Sequence, residues 1–461
     1  MGAAIPVKSF IIQLSRLHKR EELPVTDCTQ RSFDFPEVKK RVVEVNFEGG
    51  DITSDGGVML LRQADRLIGL SKAVSSVLAD NRRQSSCKHD GLSLLRQRIY
   101  GLASGYEDLN DHQKLRHDCA IQTAVERTET LASSSTLCRW ENRTDSLAAW
   151  RIHEVMVEQF IASFDDVPKE LILDFDATDD AVHGKQEGRF FHGYYDHYCF
   201  LPLYVFCQDQ LLVSYLRPSK IDGAKHAWAI LSLLVKRLRK AWPEVHIIFR
   251  GDSGFCRHKM LTWCERHDVG YIVGIAKNQQ LNAMTAQWQQ KAESHFEQTN
   301  EKVRQFYELS YAAKSWRQPR RIIAKIEHTD KGGNPRYIVT NLTGEPQHLY
   351  DKCYCARGDM ENRIKEQQLA LFADRTSCHY WWANQFRLLL SSLAYILLET
   401  IRRIALKDTE LAHVYVNTLR LKLIKIGAVI LRNTRRIRFL LASSCPYQKL
   451  FFHAAARLTP G

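Results

Sequence analysis

The sequence contains no apolar run long enough to cross a bilayer. The longest, Leu388 to Leu398, meets Glu399 after 11 residues, against the ~20 that a spanning helix needs. Near the start, Lys8 precedes FIIQLSRL, with no long apolar segment and no small-residue cleavage site, so a cytoplasmic chain with no membrane partner is expected. Cys-x-x-Cys is absent. The 12 cysteines are irregularly spaced, with Cys353 and Cys355 the one close pair, which points to reduced thiols rather than a disulfide framework. Internal repeats and low-complexity segments are missing too. Disordered, collagen-like and coiled-coil compositions are thereby excluded.

What is present is a long chain of ordinary globular composition. It has 461 residues, 44% apolar and 25% charged, enough for two or three domains with a sizeable core. The net charge of +13 is unevenly spread. Residues 1–150 carry 21 basic and 20 acidic side chains, whereas residues 402–461 carry 12 basic and 2 acidic. A basic tail on a near-neutral body suits a polyanionic partner such as nucleic acid.

Periodicity divides the chain. Residues 1–38 hold Pro6, Pro24 and Pro36 without sustained pattern and read as a poorly ordered leader. RVVEVNFE (41–48) alternates like a strand, and helical spacing follows to about residue 150, so 39–150 reads as a mostly helical DNA-binding region. Within it, Ser134 or Ser135 can cap a helix carrying Arg139, Trp140 and Arg143, either a DNA-reading helix or an ordinary surface one. Residues 165–277 show the order β-β-β-α-β-α-β, with an amphipathic helix from Lys225 to Trp242. Residues 278–345 are polar and then strand-like, a β-rich insertion. Residues 346–406 return to helix. Residues 407–461 form the basic tail, where Arg432, Arg435, Arg436 and Arg438 have the spacing of a cationic helix face.

Three acids fall where chemistry is easily built. Asp176 ends the first strand of the α/β region, Asp252 follows the fourth, and Glu361 opens the helix after the insertion. Such carboxylates can converge above a sheet and hold hard divalent cations; two ions about 3.5–4 Å apart suit an in-line displacement at phosphorus. Asp174 and Asp176, two apart on a strand, point to one face and leave the first position ambiguous. Asp179 and Asp180 are further candidates, with a solvated turn as the plainer reading. Histidines 183, 192, 197 and 226 match no common zinc spacing.

The motif text is more specific than the acids alone. ILDFDATDD, FRGDSGF and CYCARGDMENRIKEQQ resemble the three acidic motifs of a DDE-type insertion-sequence transposase. HGKQEGRFFHGYYDHYCFLPLYVF and LFADRTSCHYWWANQFRLLL resemble the insertion-sequence 1380 family within that group. The resemblance covers roughly residues 40–450. It implies a ribonuclease-H-like α/β fold, a mixed sheet flanked by helices and interrupted by the β-rich insertion, with a helical N-terminal region and a basic helical tail. It also implies an enzyme that binds terminal inverted repeats, cuts DNA at the element ends and joins the 3′-OH ends to target DNA, working as a homodimer with two Mg²⁺ ions, for which Mn²⁺ can substitute. A nucleoid-associated bacterial location goes with it. By resemblance Asp176, Asp252 and Glu361 are catalytic metal ligands, while Tyr354 and Arg357 contact DNA phosphate. The family lysine seven residues after the glutamate is Gln368 here; Lys365, a turn earlier, is a substitute. Trp316, beside Arg317, Arg320 and Arg321, is either a base-stacking residue or part of a hairpin's own core. A degenerate copy that binds without cutting, and a ribonuclease-H-like nuclease, are the alternatives.

Overall fold

Branched and aromatic side chains gather in short runs between residues 170 and 340, and in the folded chain most of these runs become one sheet. The computed structural model describes residues 32–459, apart from the side chain of Gln84. The chain divides into two units, Met1–Asp51 and Ile52–Gly461.

In the first unit, β1 (Ser32–Val38) pairs antiparallel with β2 (Arg41–Asn46). The reversal between them uses Lys39 and Lys40, both at positive φ. Phe33 faces Val45 and Phe35 faces Val43 across the pair, so the alternation of period two places these four on one face. The strand expected at 41–48 is therefore present. The expected leader is corrected in part, because residues 32–38 are its partner strand; the rest of the leader lies outside the described residues.

The second unit opens with β3 (Ile52–Thr53) and continues through helices Val58–Ile68, Leu70–Val77, Gly91–Ser104, Ser134–Glu141 and Ser146–Ala162. Gly69, at φ 68°, ends the first of these in the left-handed conformation that glycine adopts at least cost. The N-cap position of the helix at 134–141 is Ser133, one residue before the expected one, and its side chain makes no capping hydrogen bond. Its Trp140 packs edge-on against Phe386 at 5.0 Å.

The strands that follow are β4 (Glu170–Ala177), β5 (Asp180–Ala181), β6 (Phe190–His192), β7 (His197–Phe200), β8 (Leu203–Cys207), β9 (Gln210–Tyr215), β10 (His246–Gly251), β11 (Gly270–Ile275), β12 (Val303–Tyr311), β13 (Arg320–Thr329), β14 (Gly332–Gly333) and β15 (Arg336–Thr340). Nine of them form one sheet in the order β12-β13-β15-β11-β10-β4-β8-β9, with β14 on β13. The central trio β4, β10 and β11 is parallel and the outer pairings are antiparallel, which makes the sheet mixed. Helix Ala227–Ala241 leads from edge strand β9 to β10, and helix His258–Arg266 connects β10 to β11, in the expected order. Strands β5, β7 and β6 form a separate small sheet.

Two expectations change. Residues 278–345 contain the three expected strand runs, but they are less β-rich than read. They begin with a 21-residue helix, Gln279–Thr299, whose buried residues are Leu281, Thr285 and Ala292 alone, too few to show a clear period in sequence. Strands β12, β13 and β15 then extend the central sheet from β11. The basic tail is not a helix through its arginines either. β16 (Ala428–Arg432) and β17 (Ile437–Leu441) form a hairpin, and β16 also pairs with β3. Val429, Ile430 and Leu431 favour a strand, and this outweighs the arginine spacing. After the hairpin, helix Gln448–Leu458 buries Phe451, Ala454 and Leu458.

Period two sets the layers. Leu171, Leu173 and Phe175 of β4 join Ile247 and Phe249 of β10 and Tyr271 and Val273 of β11 in a core on one face of the sheet. Ile248, Ile272, Ile323 and Ile338 meet Leu349 and Tyr350 on the other face. A third core surrounds helix Trp381–Thr400, which is buried along almost its whole length. Each fully buried side chain of this size contributes about 1.5–3 kcal/mol relative to exposure. Among the described residues no helix is long and apolar enough to cross a membrane.

Candidate active site

Because side chains alternate along β4, the residues between its core positions face the other way. Asp174 and Asp176 share the face that carries Ile248 and Ile272. In register, Asp174 lies beside Arg250 of β10. The Arg250 guanidinium grips Asp174 with Nε and, at 2.6 Å, with Nη2, and its Nη1 donates to the Cys353 carbonyl. Both oxygens of Asp174 are thus bound by Arg250.

Asp176 sits two residues nearer the strand end. Its Oδ1 accepts from its neighbour Ala177 N at 3.0 Å, and its Oδ2 lies 3.6 Å from Arg357 Nη1. Burial pushes its carboxyl up to about 7; Arg357 opposes the shift, while Asp252 and Glu361 add to it. Asp252 follows β10 directly and caps a short turn, with Oδ1 accepting from Gly254 N at 2.9 Å. Glu361 lies on helix Gly358–Lys365 and accepts from Arg357 Nη2 at 2.5 Å. The parallel pairing of β4 and β10 brings Asp176 and Asp252 to the same end of the sheet. Arg357 draws Glu361 toward them. Among the described residues no three His, Cys, Asp or Glu side chains stand as a ready metal-ligand set. One guanidinium holds the position between two of the acids instead.

Tyr354 and Arg357 lie on a π-helical turn, Leu349–Tyr354, and the short 3₁₀ turn Cys355–Arg357 that follows it. Such irregular turns are frequent at functional sites. The Tyr354 ring lies over β11 at Gly274. A Cβ there would fall 2.6 Å from the Tyr354 hydroxyl and 2.9 Å from Ser253 N, so only glycine leaves room. Burial raises the Tyr354 hydroxyl pKa above its ordinary value, with Arg357 opposing, so the hydroxyl keeps its proton and can donate. Sequence reasoning passed over Gly274 and Arg250. Their signals were a glycine inside a strand pattern and an arginine two residues before Asp252.

The remaining candidates lie elsewhere. Lys365 is exposed at the end of the Glu361 helix, and Gln368 donates to the Asp179 carbonyl at 2.9 Å. Trp316 is half-buried and packs on the core of the opposite sheet face, edge-on to Tyr311 at 5.5 Å. Arg320 lies 4.8 Å from the Trp316 ring centre but is committed to Glu265 at 2.6 Å. The structure does not bring Trp316 to the carboxylates. Arg432 donates to Gln122 Oε1 at 3.1 Å, while Arg435 and Arg436 are exposed in the β16–β17 turn. Of the four histidines, His197 pairs with Asp179 at 2.9 Å and His226 packs against Tyr215.

No curated protein matches the chain. Among solved structures it is similar to the piggyBac transposase, seen by cryo-electron microscopy in a synaptic complex with hairpin DNA, with 9% identity, a TM-score of 0.40 and coverage of 81% of this chain and 80% of that one. A family model described as transposase DDE domain group 1 matches residues 35–460, which takes in Asp176, Asp252 and Glu361 together with almost everything else. The chain belongs to the family of transposase DDE domain group 1.

Proposed function

We propose that this protein is the DNA transposase of an insertion sequence, with a ribonuclease-H-like core and Asp176, Asp252 and Glu361 as its catalytic carboxylates. The observation that carries the reading is the meeting of these acids at the ends of two adjacent parallel strands and on one helix, around Arg357. The motif text favours the insertion-sequence 1380 family as its subgroup.

The donor set is all carboxylate oxygen, the kind that hard divalent cations select. A buried Asp176 whose neighbours make its charge costly is a place where positive charge is wanted. Asp176, Asp252 and Glu361 would hold Mg²⁺, with Mn²⁺ as a substitute. When bound, such ions supply activation of an oxygen nucleophile and stabilisation of the leaving oxygen at phosphorus. The chain's own groups do the rest. The backbone N–H groups of Ala177 and Gly254 each fix one oxygen of their aspartate and so aim the other. Arg357 holds Glu361 in place and offers a second guanidinium edge to a phosphate. Tyr354 Oη, held over Gly274, donates to a phosphate oxygen. The nucleic acid is double-stranded DNA, both inverted repeats and target. The working form is a homodimer, since two element ends must be held together.

A labelled duplex carrying the inverted repeat that flanks the protein's own gene tests this, with Mg²⁺ and separately with EDTA. Metal-dependent cutting at the repeat boundary is expected, followed by joining when target DNA is added. Binding with no cutting under any of several divalent metals would reject the enzyme, and cutting without joining would leave a nuclease.

A further inference from the structure

A second group of acids lies past the end of β4, and nothing in the proposed reaction uses it. Asp180 reads in sequence as part of a solvated turn, yet it is 1% exposed and opens β5 opposite Phe200. Both of its carboxylate oxygens lack a hydrogen-bond partner. The charged groups that reach it are acidic, Asp374 first and Asp179 after it. Asp179 is itself engaged by His197. Arg375, next to Asp374, is ion-paired with Glu107; it also favours the charge of Asp374, whose pKa burial nevertheless raises, but it is not among the groups that act on Asp180. The Thr376 hydroxyl, 3% exposed, is near enough to Asp180 to favour its charged form, but neither group makes a well-formed hydrogen bond. Tyr204, 1% exposed, feels the charges of both Asp180 and Asp374.

A buried carboxylate with no donor and no counter-charge costs several kcal/mol. Protonation removes the charge but creates an O–H donor whose acceptor would have to be Asp374 or Thr376, and neither Asp180 oxygen is placed to bond to them. A cation answers both deficits at once. The available donors, two carboxylates and a hydroxyl, are hard oxygens, and an ion such as Mg²⁺ commonly takes one or two carboxylates and fills its remaining positions with water.

We propose that Asp180, Asp374 and Thr376 form a divalent-cation site distinct from Asp176, Asp252 and Glu361, one whose role is structural. Asp180 lies four residues beyond Asp176. Asp374 and Thr376 lie between the helix of Glu361 and helix Trp381–Thr400. An ion held between them ties the exit of β4 to the segment behind Glu361, and so fixes the spacing of the carboxylates that the proposed chemistry needs.

The test is thermal unfolding of the full chain in EDTA, Mg²⁺ and Ca²⁺, for the native protein and for Asp252→Asn, Asp180→Asn and Asp374→Asn. A cation-induced rise in Tm should persist in Asp252→Asn and disappear in Asp180→Asn and Asp374→Asn, whose Tm in EDTA should equal or exceed that of the native chain because a repulsion has been removed. A rise of full size in both Asp180→Asn and Asp374→Asn would overturn the site and leave a shared proton as the answer. Loss of the whole rise in Asp252→Asn would overturn it as well, by placing all cation binding at the other acids. Should Asp180→Asn not fold, Asp374→Asn, at a half-buried position, carries the same reading.

Discussion

The helical half of the second unit and the carboxylate face of its sheet handle buried charge in opposite ways. In the helical half, Glu141 is fully buried between two arginines, Arg98 at 2.6 Å and Arg387 at 2.9 Å. Glu366 is likewise held by Arg363 and Arg402 and accepts from Val416 N at 2.7 Å. Each of those acids has more positive charge than it needs. At the ends of β4 and β10 the ratio inverts, and among the described residues Arg357 is the one cation paired with Asp176 and Glu361, with Asp252 also acting on it. Asp174 shows that the sheet can neutralise an acid when it has to, since Arg250 covers it completely only two residues before Asp176. A saturated ion pair holds a fold together. An undersupplied acid cluster costs stability and keeps its oxygens open to a ligand, as functional sites tend to do.

The contrast can be broken from either side. The largest effect is expected at the undersupplied end: Asp252→Ala should lower cleavage on the order of 10³-fold or more, several kcal/mol of barrier, while a gel-shift assay shows end binding little changed. At the saturated end, Glu141→Ala strands two buried arginines and should cost about 3–5 kcal/mol in chemical denaturation, with catalytic rate per folded molecule unaltered. A free energy unchanged by that substitution would remove the distinction between the two regions. Gly274→Ala tests the packing beneath Tyr354. Its methyl meets the hydroxyl and the Ser253 amide, so a loss of about 1–3 kcal/mol is expected, together with slower cleavage.

Smaller effects sharpen the comparison at the surface. Glu327 bonds Lys325 at 2.8 Å and pairs with Lys302, and the Lys325 bond leads in bringing its pKa down to about 2 from the ordinary 4.5. A depressed carboxylate stabilises the fold above its unfolded pKa. That contribution should fade as pH falls from about 4.5 toward 2, by no more than about 1 kcal/mol because Lys302 is exposed. Glu327→Gln should abolish this part of the pH dependence, read as the change in denaturation midpoint between pH 5 and pH 3. The smallest effect is expected in the β16–β17 turn. Changing Arg435 and Arg436 to serine should lower the salt slope of DNA binding by about two. Point substitution is the right probe here, because deleting the tail would remove Phe451, Ala454 and Leu458 from the core.

Much of this was legible in the chain. The strand order from β4 to β11 followed from alternating and branched runs, and Asp176 and Asp252 stand at strand ends as the sequence suggested, though only the motif text preferred Asp176 to Asp174. The small sheet β5-β7-β6 was missed because its strands are two to four residues long, shorter than any period can register. Helix Gln279–Thr299 was missed because it buries so little. Arg432, Arg435, Arg436 and Arg438 were placed on a helix because spacing of three and four is ambiguous when the apolar residues beside it are β-branched.

By itself the sequence determined what local chemistry can determine: which stretches alternate, which glycines and acids stand at strand ends, and which motif text they form. Only the tertiary structure decided which acid is neutralised and which is left open. Asp174 and Asp176 have the same side chain on the same face of one strand, and they differ because Arg250 comes into register with the first. Asp180 differs from a solvated turn residue because it is paired with β7 and buried, 1% exposed. Charge and burial depend on neighbours brought from far along the chain, and no local pattern encodes them.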